Sequence, residues 1–394
     1  MPVQPHALLI PLVRWLPLAA VIFAAQLAVV WLSMRPRRGR LVVTGLALIL
    51  TDAMLVALIR TCVSIMGGMD YSESFFIWRW WFLALVLITA GLPIPLWLTA
   101  LRLTLGRQED RGGTAGIGPL FRTSLLMCLA SGATTLILGG EITLLPRPAR
   151  LTPVAITIPG LPSELDGLRI AVLSDHHVGA LMTPARARKR LHSFASTRAD
   201  LVVELGDITE MDPAYQPEAA RIVGECKAPL GAYAVPGNFD MQSGTDSLRR
   251  EYAKAGVVFL ENEARRVKVG RSELWIVGVG DPWTGDADLD GALASVPTGA
   301  TTVLLAHSPD IVEEAAARSI SLVLSGHLHG GQVVWPFAGP VVGMSGFGTR
   351  FAWGHFRIGP TQLIVSRGLG EEAIPLRLFC PPEIVVVTLR ARPD

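Results

Sequence analysis

The feature that most restricts this chain is the Gly-His-Leu-His at 326–329, which closes an apolar run from Ser321 to Ser325. Two imidazoles at i and i+2, thrown off a strand end by Gly326 and followed by Gly330 and Gly331, can each face a different metal ion. Four clusters upstream supply the other ligand types. Asp175 and His177 lie in Ser-Asp-His-His, Asp207 in Gly-Asp, Asn238 in Gly-Asn-Phe-Asp, and His307 in Ala-His-Ser-Pro. Each follows an apolar stretch: Ile170 to Leu173, Leu201 to Val203, Tyr233 to Val235, and Val303 to Leu305. Ligands of α/β sheets bind where strands end and loops begin. Carboxylate, amide and imidazole groups at five such ends predict one metal-binding point.

The chain has 394 residues, long enough for two or three domains. Half of its residues are hydrophobic and the mean hydropathy is +0.43, an excess confined to the first 140 residues. The net charge of +2 excludes the strong basic field of a nucleic-acid binder, and no nucleic acid is expected as a partner. Four scattered cysteines without Cys-x-x-Cys spacing exclude a zinc knuckle or a disulfide scaffold. Cys226 and Cys380 fall in the polar part, and a bridge between them is a minor alternative.

Residues 13–33, 41–60, 80–101 and 120–139 are each close to the roughly 20 apolar residues that cross a hydrocarbon core. They predict a four-span transmembrane region over residues 1–144, and Trp15, Trp31 and the Trp78–Trp81 cluster suit an interfacial belt. Arg35, Arg37, Arg38 and Arg40, then Arg102, Arg107 and Arg111, fill the first and third loops. Positive loops stay inside. The reading is therefore a multi-pass protein of the cell membrane, with the domain after the spans outside the cytoplasm. Asp52, within the second segment, is read as a polar residue buried between helices; it is also the sole support for a transporter hypothesis.

Leu145-Pro146-Arg147-Pro148 opens the second region, residues 145–394. Strand-length apolar runs recur there at 168–174, 201–205, 231–235, 273–279, 302–306, 321–325, 361–366 and 383–389. Helix-like stretches fall between several of them, at 184–198 and at 309–319, where Ser308-Pro309-Asp310 is a start signal. Strands alternating with helices indicate a layered α/β architecture. The fold class is thus four transmembrane α-helices followed by an α/β domain, an αββα sandwich.

At these motifs the chain resembles the calcineurin-like metallophosphoesterases, whose signature runs Asp-x-His, Gly-Asp, Gly-Asn-His-Asp/Glu, His, Gly-His-x-His. It is most similar to the membrane-attached bacterial branch through Gly330-Gly331-Gln332 and Phe379-Cys380-Pro381-Pro382-Glu383. The likeness covers about residues 152 to 390. It implies a first metal on Asp175, His177 and His329, a second on Asn238, His307 and His327, and Asp207 bridging both. Asp207 and Asn238 are the implied catalytic residues. Such a pair of divalent ions, Mn, Fe or Zn by the mixed imidazole and carboxylate set, clamps a phosphoryl group and activates water. The implied substrate is a phosphorylated small molecule or lipid, cleaved at a phosphodiester or pyrophosphate bond, with a lipid-linked or cell-envelope compound fitting the anchor.

One position departs from the signature. Phe239 stands where the family has the His that protonates the leaving oxygen or steadies the transition state. A general acid contributes roughly 10²–10⁴ in rate. A departing phosphate, with a second pKa of about 6, leaves without a donated proton. Phe239 therefore marks either an activated diester or pyrophosphate substrate, or a weakened enzyme that serves as a metal-binding sensor or binding module. His176, beside His177, is a minor alternative acid, since adjacent residues on a strand end point oppositely. The aromatics Trp335, Phe337, Phe347, Phe351, Trp353 and Phe356 are read first as loop packing and second as an apolar lip. Arg367 is read either as a phosphate contact or as a strand cap.

Overall fold

A computed structural model describes residues 148–391, apart from 333, 336–338, 341–342, 344, 373–376 and 378. Within them, strands whose residues are buried on both faces form the centre of two sheets. In the first, β1 (Arg150–Ile158), β14 (Glu383–Ala391), β2 (Arg169–Leu173), β3 (Leu201–Glu204), β4 (Ala232–Ala234) and β5 (Val257–Phe259) lie side by side in that order. β14 is antiparallel to β2, and β2 through β5 are parallel. In the second, the order is β12 (Gly354–Ile358), β13 (Thr361–Val365), β9 (Leu322–Ser325), β8 (Thr302–Leu305), β7 (Ser272–Gly278) and β6 (Glu263–Val269). Its four central strands are parallel and its two outer pairs antiparallel. A short hairpin joins β10 (Val334–Trp335) to β11 (Gly339–Pro340).

Alternation along each strand decides what it packs on. Leu201 and Val203 of β3 join Val303 and Leu305 of β8 and Leu322 and Leu324 of β9 in a core between the sheets. Val202 of β3 faces the other way, onto Ala219, Ala220 and Val223 of helix α2 (Gln216–Gly224) and Leu248 and Tyr252 of α4 (Thr245–Ala255). The helices α1 (Pro184–Arg190) and α3 (Asn238–Ser243) precede these in the chain. Leu304 and Val323 face Leu289 and Ala292 of α5 (Leu289–Leu293) and Val312 and Ala315 of α6 (Val312–Ala317). The layers are helix, sheet, sheet, helix, and all eight apolar runs are strands. The predicted helix over 184–198 is α1 followed by a 3₁₀ stretch, Leu191–Thr197, and the one over 309–319 opens as a 3₁₀ turn before α6. Cys226 and Cys380 are free and buried, so they form no bridge.

The expectation of four transmembrane helices, and the multi-pass cell-membrane placement drawn from it, is corrected. No helix among the described residues is long and apolar enough to cross a membrane. The longest, α4, has 11 residues, which at about 1.5 Å per residue reach about half of a core roughly 30 Å thick. The apolar segments, Asp52 and the arginine-rich loops from which spans and orientation were read lie outside the described residues. The fold class supported by the structure is the α/β sandwich alone.

Candidate metal centre

The parallel strands of both sheets end toward one place. Asp175 and His177 follow β2, Asp207 follows β3, Asn238 begins α3 after β4, His307 follows β8, and His327 and His329 follow β9. All seven are buried, with none more than 4% exposed. Their backbone is held in an unusual state: Asp175, His177, Asp207, His327 and His329 have φ between 47° and 69°. A non-glycine residue in that left-handed region costs of order 1–3 kcal/mol and persists only where its surroundings over-determine it. Here the turns are tied across strands. The amide of Asp175 donates to Gly206 O at 3.0 Å, that of His177 to Asp207 O at 2.9 Å, and that of Gly326 to His307 O at 2.9 Å.

The side chains form two groups. Asp175, His177 and His329 bring one ligand atom each within 4.8 Å of one another, and so do Asp207, His307 and His327. In the first group the Nε2 atoms of His177 and His329 are 3.0 Å apart, with Asp175 Oδ1 3.6 Å from His329 Nε2. In the second, His307 Nε2 lies 3.2 Å from Asp207 Oδ2, from Asn238 Oδ1 and from His327 Nδ1. Asp207 Oδ2 is also 3.6 Å from His177 Nε2, so one carboxylate oxygen faces both groups.

This donor set fits divalent cations. His307 Nδ1 is 2.8 Å from the carbonyl of Leu205, which can only accept, so Nδ1 carries a proton and Nε2 is the atom turned inward. Burial acts to lower this imidazole, but Asp207 and Asp175 outweigh it and raise it well above its ordinary value, so a cation at Nε2 would take the place of a proton. Two Nε2 atoms facing each other at 3.0 Å leave room for one proton between them or for one cation. Burial pushes the Asp175 carboxyl up to about 6 and the His177 imidazole down to about 4, which leaves the latter neutral at neutral pH, the form that binds metal. Burial also acts to raise Asp207, but His307, His177 and His327 around it outweigh that and hold it at about 2, ionised.

Asp240 completes the Gly-Asn-Phe-Asp turn without joining the cluster. Its carboxylate accepts from the amides of Asp207 at 2.7 Å and Gly237 at 3.0 Å, which fixes the β3 and β4 loops to each other. His176 is likewise absent from the cluster, with its Nε2 2.8 Å from Glu204 Oε2 in the interior. Arg367 pairs with Glu383 at the start of β14, 3.5 Å from Oε2, and lies over the Trp353 ring. Phe347, Phe351 and Phe356 stack edge to face at 5.0 Å, as packing over the second sheet.

Two neighbours escaped the sequence reading. Arg377 donates to Gly370 O at 2.8 Å and places Nη2 3.3 Å from His329 Nδ1. Glu372 brings Oε2 to 3.7 Å from His329 Nε2, and burial, with Asp207 and Asp175 nearby, pushes its carboxyl up to about 8. Neither sits in a recognisable motif. The remaining local signal was Gln332, whose side-chain amide donates to Glu372 O at 2.7 Å and accepts from Glu372 N at 3.1 Å.

Glycine is required where loops back onto the site. A Cβ on Gly326 would lie 1.8 Å from Ser174 Oγ and 2.6 Å from Asp175 Oδ2, and one on Gly368, at φ +70°, would lie 2.7 Å from Asp175 Cβ. Gly326→Ala must therefore displace Asp175. The expected result is a loss of about 1–3 kcal/mol of stability, as for other overpacked sites. The rise in melting temperature on adding Mn should also shrink. A variant whose metal-induced shift matches the wild type would show that Asp175 tolerates the displacement.

The comparison with known proteins agrees with this geometry. The family described as calcineurin-like phosphoesterase matches residues 168–331. The metallophosphoesterase YkuE of Bacillus subtilis (strain 168) is 30% identical over 235 residues, covering 59% of this chain and 82% of its own. A metallophosphoesterase of Aquifex aeolicus (strain VF5) is 30% identical over 235 residues, 57% of this chain and 86% of that one. The protein named "Transmembrane protein with metallophosphoesterase domain" of Danio rerio is 30% identical over 259 residues, and the match spans 62% of this chain and 58% of that protein. The chain belongs to the calcineurin-like metallophosphoesterases.

Proposed function

We propose that this chain hydrolyses phosphodiester or pyrophosphate bonds of a phosphorylated small molecule or lipid head group, with two divalent cations and a leaving group that needs no donated proton. Asp175, His177 and His329 would hold one ion, Asn238, His307 and His327 the other, and Asp207 both. When bound, such ions supply Lewis acidity to the phosphoryl oxygens and activate water. The protein contributes position and charge. Asp207 is tied through Oδ1 to the amide of Phe239 at 2.9 Å, and Asn238 sets its amide beside His307.

The observation that carries this reading is Phe239. It is 1% exposed and meets the His177 ring edge-on at 5.0 Å, so an apolar ring borders the site where the signature has an imidazole. A phenyl ring cannot donate a proton. Leaving groups that depart as weak bases suffer least, which favours phosphates and activated esters over alkoxides.

The full chain, supplied with Mn, is expected to cleave nitrophenyl phosphodiesters and pyrophosphate bonds and hardly to touch simple alkyl phosphate esters. A series of phosphodiesters of graded leaving-group basicity measures this as a slope. Alkyl esters cleaved as fast as nitrophenyl ones would mean that another residue donates the proton. No turnover of any member, with metal bound, would leave the sensor or binding-module reading in its place.

A further inference from the structure

Glu372 lies beyond the seven residues of the signature, yet its side chain is only 9% exposed and Oε2 is 3.7 Å from His329 Nε2. His329 Nε2 is in turn 3.0 Å from His177 Nε2 and 3.6 Å from Asp175 Oδ1. Two ligands each about 2.1 Å from one ion, at angles of about 90–125°, stand about 3.0–3.7 Å apart. The Glu372 oxygen stands within that reach of His329 Nε2, and a turn of its side chain would bring it toward the other two. Its backbone is pinned by the double hydrogen bond from Gln332, so the side chain starts from a fixed point. Among the described residues, the hydrogen bonds at Glu372 all go to its backbone. Beside burial, Asp207, Asp175 and Glu210 press on its carboxylate with the same sign, and His307 opposes them only in part. A buried carboxylate among like charges calls for a cation.

We propose that Glu372 is a further ligand of the ion held by Asp175, His177 and His329, and that it favours Mn or Fe over Zn there. This rests on the metal-dependent reading above. The selectivity follows from ligand number and type. Asp175, His177, His329 and Asp207 already make four ligands, the usual complement of Zn. A fifth, from a carboxylate, suits an ion of higher coordination number and harder character.

The test is titration calorimetry of Mn, and separately of Zn, into the metal-free full chain and its E372Q and E372D variants. The wild type is expected to take up two ions. E372Q should keep one site unchanged and bind Mn at the other more weakly by at least about 10–100-fold, the range already seen when an outer-shell partner of a metal site is lost. Zn should lose less, and E372D should recover part of the Mn affinity. Metal-free E372Q should melt no lower than the wild type, because Gln keeps the shape of the side chain and the hydrogen bonds at residue 372 are to its backbone. E372Q binding both Mn ions as the wild type does, or losing both sites together, would overturn the inference while leaving the parent reading intact. A wild type that binds no Mn would overturn both.

Discussion

Asp207→Asn is expected to lower kcat/KM on a nitrophenyl phosphodiester by more than about 100-fold, beyond the upper end of what loss of an outer-shell partner costs. The substitution keeps the shape of the side chain, and Asn Oδ1 can still accept from the Phe239 amide, 2.9 Å from Asp207 Oδ1 in the native chain. What disappears is the negative charge that faces both groups, 3.6 Å from His177 Nε2 and 3.2 Å from His307 Nε2. Metal content should fall with activity, in contrast to a variant such as His329→Ala, which touches one group. Measuring bound Mn by elemental analysis beside the rate separates loss of metal from loss of chemistry. A variant as active as the wild type at saturating Mn would remove Asp207 from the role given to it.

Phe239→His should act in the opposite direction and only on some substrates. If no group now protonates the leaving oxygen, an imidazole at this position should raise the rate on alkyl esters within the roughly 10²–10⁴ range of a general acid. Nitrophenyl esters should change little, and the slope against leaving-group basicity should flatten. The native ring is buried and touches His177, so the variant is also expected to lose stability, by about 1–3 kcal/mol for a polar group placed in an apolar site. A melting curve and a metal titration establish that the site survives. A folded, metal-loaded variant with the wild-type slope would show that Phe239 is not what sets leaving-group preference.

Much of the sheet framework was legible because its signals are local. Leu201-Val202-Val203 or Leu322-Val323-Leu324 reads as a strand buried on both faces within four or five residues, and the parallel strands that carry the site are all of this kind. The edges were not. β1 alternates exposed and buried residues and contains Pro153, which only an edge position tolerates, and β6 reads Glu-Ala-Arg-Arg-Val-Lys-Val with one fully buried residue. Neither exceeds the apolar threshold by which the other strands stand out. The α-helix predicted over 184–198 is shorter in the fold, because at 191–197 the chain continues helically but in the tighter 3₁₀ form.

The site divides along the same line. Asp175, His177, Asp207, Asn238, His307, His327 and His329 each announce themselves because a polar ligand type directly follows an apolar run, and sheet topology guarantees that such ends gather at one edge. Which atoms face which group was decided only by the fold: Asp207 Oδ2 between the groups, His307 turned by the Leu205 carbonyl, and His176 turned away toward Glu204. Glu372 and Arg377 were wholly tertiary findings. They reach His329 because Gly370 donates to Asp175 O and Gln332 clamps residue 372, contacts between segments far apart in the chain that no periodicity or spacing encodes. The sequence by itself determined the strand ends and the chemistry placed on them; the packing of one sheet against the other decided the distances, the tautomers and the extra carboxylate, because those depend on pairings that exist only once both sheets are assembled.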